Sequence, residues 1–302
     1  MKKGDSPDRI RGKGILEIKK RPYPFFLIFT DLDGTLLDHE TYEWKEAEPA
    51  LKRCGKLGIP IILVSSKTGA EMDSIRLEMG LSDPFISENG GGIFFPPGLT
   101  LKPPPGTVFA LFSPNTRKWP LGKPYGYLVK SLQEIRKELN LEIRGFSDMT
   151  PEEISRQTGL DLASSRLAAR REYDEPFIMP EGEGVNLSDL YEAAKMKGLN
   201  VTTGGRFFHL HGETDKGLAV DKLASWYRKY HPGAEAIALG DSPNDFSMLK
   251  RADHPVLICS SRQFPGLEKE IPHLRRTREK GSKGWNTAVL DLLSEKKCGG
   301  RV

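Results

Sequence analysis

Phe25-Phe26-Leu27-Ile28-Phe29-Thr30, followed at once by Asp31-Leu32-Asp33-Gly34-Thr35-Leu36-Leu37-Asp38, is the stretch from which the fold can be read. An apolar, aromatic-rich run of six is the pattern of a strand buried on both faces of a parallel sheet, and this one ends in two carboxylates one residue apart. A core cannot hold both, so they fall just past the carboxyl end of the strand, where open α/β sheets bind ligands. Gly34 lets the chain turn sharply there. Asp-x-Asp at such a place suits a magnesium ion and a phosphoryl group, because a hard cation prefers carboxylate and carbonyl oxygens and a carboxylate held beside it can attack phosphorus. Taken alone, Asp-Leu-Asp-Gly reads equally well as a strand-to-loop turn.

A chain of 302 residues with 37% apolar content is long enough for two domains with real cores. Its longest apolar run is far short of the roughly 20 residues of a membrane helix, so no membrane association is expected. Cys54, Cys259 and Cys298 are odd in number and in no metal-ligand spacing, which argues for a reducing, cytoplasmic setting. Of the formal charge of +4, residues 1–23 hold eight Lys or Arg against three acids, which leaves 37 against 38 for the remainder. A nearly neutral body with a short basic leader is not the footprint of a nucleic-acid-binding domain. Residues 1–23 read as a disordered extension.

Further along, Thr41 to Gly58 has helical spacing and Pro60-Ile61-Ile62-Leu63-Val64 is a second buried strand, which together make a right-handed crossover. Ser65-Ser66-Lys67-Thr68 then lies beside Asp31, where a hydroxyl can bond a phosphoryl oxygen or cap the helix that follows. Pro84 to Ser87 reads as a third strand. The glycines of Glu88-Asn89-Gly90-Gly91-Gly92 suit either close backbone approach to a ligand or a hairpin. The prolines of 96–105 mark a boundary. Residues 105–206 read as an α+β insert that starts with a strand at Val108 to Phe112 and carries a capping box at Thr150-Pro151-Glu152-Glu153. The core, 24–104, resumes over 207–302. Lys216 falls at a helix N-terminus, where a cation is disfavoured unless an anion is near. Ala236-Ile237-Ala238-Leu239 is another buried strand, ending in Gly240-Asp241-Ser242-Pro243-Asn244-Asp245, whose carboxylates are spaced to hold a metal and its waters.

The strings at Asp31, Ser65, Lys216 and Asp241 resemble, in this order, the four motifs of the haloacid-dehalogenase-like phosphatases. The resemblance implies an α/β fold, a doubly wound parallel-sheet core with an inserted type C2 cap that selects the substrate. It further implies Mg2+ held by Asp31, the backbone carbonyl of Asp33, and Asp241, with Asp245 supporting its waters. Asp31 is then the nucleophile and Asp33 the general acid/base, while Ser65 and Lys216 hold the phosphoryl oxygens. Ser65-Ser66-Lys67-Thr68 in place of the commoner Thr-Gly-Arg, with Ser87 to Gly91, Gly145 to Thr150, Arg171 to Phe177 and Gly204 to Phe207, is similar to the mannosyl-3-phosphoglycerate phosphatase family. That likeness implies a small phosphorylated glycoside as partner and points to Ser66, Lys67, Asn89 and Asn244 as substrate contacts. Arg171 and Arg206 are candidates to read a carboxylate, or are salt bridges that stabilise the cap. Other sugar-phosphate specificities fit the same catalytic strings.

Overall fold

The computed structural model describes residues 25–179, 187–204 and 206–298. The basic leader expected at residues 1–23 lies outside the described residues. The first unit is β1 (Phe26–Thr30), α1 (Glu48–Leu57), β2 (Ile61–Leu63) and α2 (Gly69–Glu78), the expected crossover, although the first helix begins later than its spacing predicts, with a 3-10 turn at Lys45–Ala47. β3 (Phe85–Ser87), β4 (Gly92–Phe95), β5 (Val108–Phe109) and β6 (Arg117–Pro120) form a small antiparallel sheet in the order β3-β4-β6-β5. The strand expected to open the insert is therefore β5, and it is tied through β6 to β4.

From α3 (Tyr125–Glu138) the chain builds a second antiparallel sheet. Its remaining elements are β7 (Arg144–Gly145), α4 (Pro151–Thr158), α5 (Leu162–Ala168), β8 (Asp174–Ile178), α6 (Leu187–Met196), β9 (Asn200–Gly204) and β10 (Phe207–His211). The strand order is β7-β8-β10-β9. The apolar stripes of α3 (Leu128, Leu132, Ile135) and α6 (Leu190, Ala194) close on Phe177 and Leu210 of this sheet, giving the insert its own core. Thr150 and Glu153 form the expected capping box at α4.

The chain then returns to the first sheet with α7 (Lys216–Arg228), β11 (Glu235–Gly240), α8 (Phe246–Leu249), β12 (His254–Cys259), α9 (Leu267–Glu270), β13 (Arg275–Lys280) and α10 (Gly281–Cys298). Five parallel strands lie in the order β13-β12-β11-β1-β2. Successive strand side chains point to opposite faces. Phe26 and Ile28 pack with Cys54, Trp285 and Val289 under α1 and α10, and Leu27 and Phe29 pack with Val220, Leu223 and Met248 under α7 and α8. Each such side chain contributes roughly 1.5 to 3 kcal/mol by leaving water, which is why the sheet centre is fixed and its carboxyl edge is free to carry polar groups. The exception to the apolar pattern is β13, Arg-Arg-Thr-Arg-Glu-Lys, a half-exposed edge strand that no hydrophobic run announces. Among the described residues, no helix is long and apolar enough to cross a membrane.

Candidate active site

Strand register brings the expected residues to one edge. Thr30 lies opposite Leu63 on one side and Leu239 on the other. Asp31, Ser65 and Asp241 therefore emerge together, with the Asp31 amide bonded to Leu239 O at 2.9 Å and the Val64 amide to Thr30 O at 2.8 Å. Gly34 makes the turn at φ +80°, and a Cβ there would stand 2.9 Å from Asp241 Oδ2, so both the backbone conformation and the space require glycine.

Lys216 is the buried centre of the group. Its Nζ donates to Asp31 Oδ1 at 2.6 Å and to Asp245 Oδ1 at 2.7 Å. Asp215 caps α7 in front of it, and the two carboxylates are the anions that a lysine at a helix N-terminus requires. Asp245, wholly buried, also accepts from the Asp241 and Ser242 amides at 3.0 Å through Oδ2. Thr35 Oγ1 reaches Asp241 Oδ1 at 3.3 Å.

Asp31, Asp241 and Asp245 each offer an oxygen within 4.8 Å of the others. Burial first, and then the charge of Asp245, pushes the Asp31 carboxyl up to about 8 against the pull of Lys216, and the same two causes push Asp241 up to about 6. Three clustered carboxylates with one ammonium lack the positive charge to stay fully ionised near neutrality. A donor set made only of carboxylate oxygens and short of positive charge fits a hard divalent cation.

Asp33 turns away from that cluster. Its Oδ2 accepts from Lys67 Nζ at 2.7 Å, and its Oδ1 is buried with no hydrogen-bond partner among the described residues. Burial opposes the Lys67 charge, yet Asp33 outweighs it and holds the ammonium above its usual range. Ser65 is buried and accepts the Lys67 amide at 3.2 Å, while Thr68, not Ser65, caps α2. Asn244 Nδ2 is 3.4 Å from Asn89 Oδ1 at the rim.

The insert meets this edge through residues 167–173. Arg171 Nη1 donates to Ser66 O at 3.0 Å and to Asp174 Oδ2 at 3.2 Å, its Nε donates to Ala168 O at 3.0 Å, and Thr68 Oγ1 donates to Leu167 O at 3.0 Å. Arg206 is exposed and donates to Thr158 O at 3.1 Å. Glu88, not singled out by the sequence, is buried and accepts the Glu172 and Tyr173 amides at 3.1 and 2.9 Å. Its local signal is slight, a charged residue directly after a buried strand. The glycine run serves packing: a Cβ on Gly90 would meet Asp215 O at 2.2 Å, and one on Gly91 the Tyr173 side chain at 2.3 Å. The run also turns the chain between the antiparallel β3 and β4, where Ser87 pairs with Gly92, as the hairpin reading expects.

The sequence profile of the haloacid dehalogenase-like hydrolases matches residues 28–98 and 190–276. The chain belongs to that family and is a phosphatase of the haloacid-dehalogenase type. It is 39% identical over 272 residues, 89% of its own length and 97% of the other, to the glucosyl-3-phosphoglycerate/mannosyl-3-phosphoglycerate phosphatase of Methanococcoides burtonii. In fold alone it is similar to Thermoplasma acidophilum 0175 (TM-score 0.64, 17% identity, 90% of this chain and 99% of that one). The haloacid dehalogenase subclass IIB sugar phosphatase BT4131 has a TM-score of 0.59 at 14% identity, over 88% and 98% of the two chains. The expected α/β class, with a parallel core sheet and an inserted C2-type cap, is the observed one.

Proposed function

We propose that the protein is a Mg2+-dependent phosphatase of glycosyl-3-phosphoglycerates, accepting the mannosyl and the glucosyl ester and releasing the glycosylglycerate and phosphate. The observation that carries the chemistry is the convergence of Asp31, Lys216, Asp241 and Asp245 on one sheet edge, with Asp33 beside it. The substrate class rests on likeness to a relative named for both esters, matched over nearly its whole length.

In this reading the phosphoryl group lies against Asp31, with Ser65 and Lys216 donating to its equatorial oxygens. An Asp31 oxygen attacks phosphorus and the P–O bond to the glycerate breaks, leaving an aspartyl-phosphate, while Asp33 gives its proton to the departing oxygen. Asp33 then takes a proton from water, which attacks the same phosphorus and frees Asp31. Asp31, Asp241, Asp245 and the Asp33 carbonyl would hold Mg2+, which when bound supplies the charge that keeps the carboxylates ionised and screens the incoming phosphate. The insert from Tyr125 to His211 acts as the cap, because residues 167–173 sit on the loops that carry Lys67 and Asn89. Ser66, Asn89, Asn244 and Arg206 are the remaining candidate contacts to the body of the substrate.

The test is phosphate release from a panel of esters with and without Mg2+: the two glycosyl-3-phosphoglycerates, sucrose phosphate, hexose phosphates and 3-phosphoglycerate. The glycosyl-3-phosphoglycerates should lead the panel and require the cation. A clear preference for neutral hexose phosphates would overturn the substrate class.

A further inference from the structure

We infer that Lys67 is the residue that recognises the carboxylate of the leaving group, so that selection for a phosphoglycerate begins in the catalytic core and not only in the cap. The inference rests on the substrate class proposed above and deepens it. Lys67 Nζ is 2.7 Å from Asp33 Oδ2, and its side chain is 21% exposed, neither sealed in the protein nor loose in solvent. An ammonium has three N–H donors, and among the described residues this one makes a single hydrogen bond, to Asp33.

The substrate's own chemistry supplies the next step. In a 3-phosphoglycerate the phosphorylated oxygen and the carboxylate sit at the two ends of one three-carbon unit. An oxygen that takes its proton from Asp33 lies within a hydrogen bond of that carboxyl, and so on the order of 5 to 6 Å from the Lys67 ammonium. A glycerate bridges that gap, so the site that donates the proton also offers a cation to the far end of the leaving group.

Neighbouring cations are committed elsewhere. Lys216 is fully buried between Asp31 and Asp245, and Arg171 holds Ser66 O, Ala168 O and Asp174 with a side chain 8% exposed. A glycerol phosphate, identical apart from an alcohol where the carboxylate stands, presents the same leaving oxygen without the negative charge. Lys67 would bind it no better than water does.

That pair of esters makes the test. kcat and KM are measured for a 2-O-glycosyl-3-phosphoglycerate and for the matching 2-O-glycosylglycerol 3-phosphate, using wild type, Lys67→Met and Lys67→Arg. The wild type should favour the carboxylate ester. Lys67→Met removes the partner of Asp33 and so should lower kcat for both esters alike, but for the carboxylate ester alone it should also raise KM, on the order of 10- to 100-fold, the size of one charge-assisted contact, and so abolish the preference. Lys67→Arg should restore most of the preference. Equal losses on both esters, carried by kcat, would mean that Lys67 acts only by positioning Asp33 and would overturn the inference while leaving the substrate class intact. A wild-type enzyme indifferent to the carboxylate would overturn both.

Discussion

Lys216 Nζ lies 2.6 Å from Asp31 Oδ1 with its side chain wholly excluded from solvent, so the ammonium and the proposed nucleophile share one buried charge pair. A second carboxylate, Asp245, holds the same nitrogen at 2.7 Å. Burial alone would push the lysine down, but the two carboxylates outweigh it and hold it above its usual range. Removing one partner of a buried pair strands the other's charge and costs about 3 to 5 kcal/mol. Lys216→Met should therefore lower the melting temperature of the metal-free protein, with added Mg2+ restoring part of the loss by replacing the missing positive charge. Activity should fall on the order of 10²-fold or more with it. Thermal melts of wild type and variant, with and without Mg2+, check this, and an unchanged apo melting temperature would count against the pair.

Asp31→Asn keeps the shape of the side chain and an oxygen for Lys216 to bond, yet removes the proposed nucleophile and one charge of the proposed metal site. We expect a loss of kcat on the order of 10³-fold or more with an unaltered circular dichroism spectrum. Turnover near the wild-type rate would rule out the covalent route.

The same burial predicts how Mg2+ binding depends on pH. With the metal-free Asp31 carboxyl at about 8, cation and proton compete for it at neutral pH. Affinity should therefore rise between about pH 6 and 8, by up to tenfold per unit, and level off above. Calorimetric titrations at pH 6, 7 and 8 in buffers of different ionisation enthalpy would reveal the released proton, and a pH-independent affinity would remove Asp31 from the ligand set.

Much of this site is legible in sequence for a simple reason: a strand buried on both faces must be apolar, so the carboxylates after Thr30 and Gly240 stand out against it. What stays hidden is what long-range packing decides. The charged β13 is an edge strand with no core face to announce it. Glu88 acts on amides 84 and 85 positions away, and the glycines at 90–92 answer to Asp215 and Tyr173, neither of which a local pattern contains. Beside its place in the family's third motif, Lys216 is visible in the sequence as a misfit with its helix dipole, and the pairing with Asp31 and Asp245 explains that misfit.

Glu88 yields a stability prediction. Burial pushes its carboxyl from an ordinary 4.5 up to about 8, more than Arg171 and the Tyr173 and Glu172 amides pull it back. A raised folded-state value means that the native protein keeps a proton the unfolded chain has released. Its stabilising effect is complete below about pH 4.5 and is lost as pH rises through about 8, at up to 1.4 kcal/mol per unit. Glu88→Gln does not titrate, so the difference in unfolding free energy between variant and wild type should move in the variant's favour by a few kcal/mol between pH 5 and 8. Denaturant titrations across that range test it, and parallel wild-type and variant curves would assign the pH dependence to another group.

Arg171 was expected from sequence either to read a substrate carboxylate or to stabilise the cap, and its surroundings favour the second. The guanidinium is nearly buried, with Nε on Ala168 O and Nη1 shared between Ser66 O and Asp174 Oδ2. It joins the insert to the loop that carries Lys67. It also helps to keep Asp174 ionised: burial pushes that carboxyl up, but His209 first and then Arg171 outweigh it and hold it below the usual range. Arg171→Ala should then cost about 3 to 5 kcal/mol of stability, the effect of breaking a buried pair. It should slow both the carboxylate ester and its alcohol analogue by similar factors, because what is lost is the seating of the cap and not a contact to the carboxylate. Arg171→Lys should recover little, since a single ammonium cannot reproduce the spread of the guanidinium fork. Comparison with Lys67→Met separates the two roles in one set of assays: a selective loss at Lys67 and an unselective one at Arg171. A selective loss of the carboxylate ester in Arg171→Ala, with an unchanged melting temperature, would return carboxylate reading to the cap.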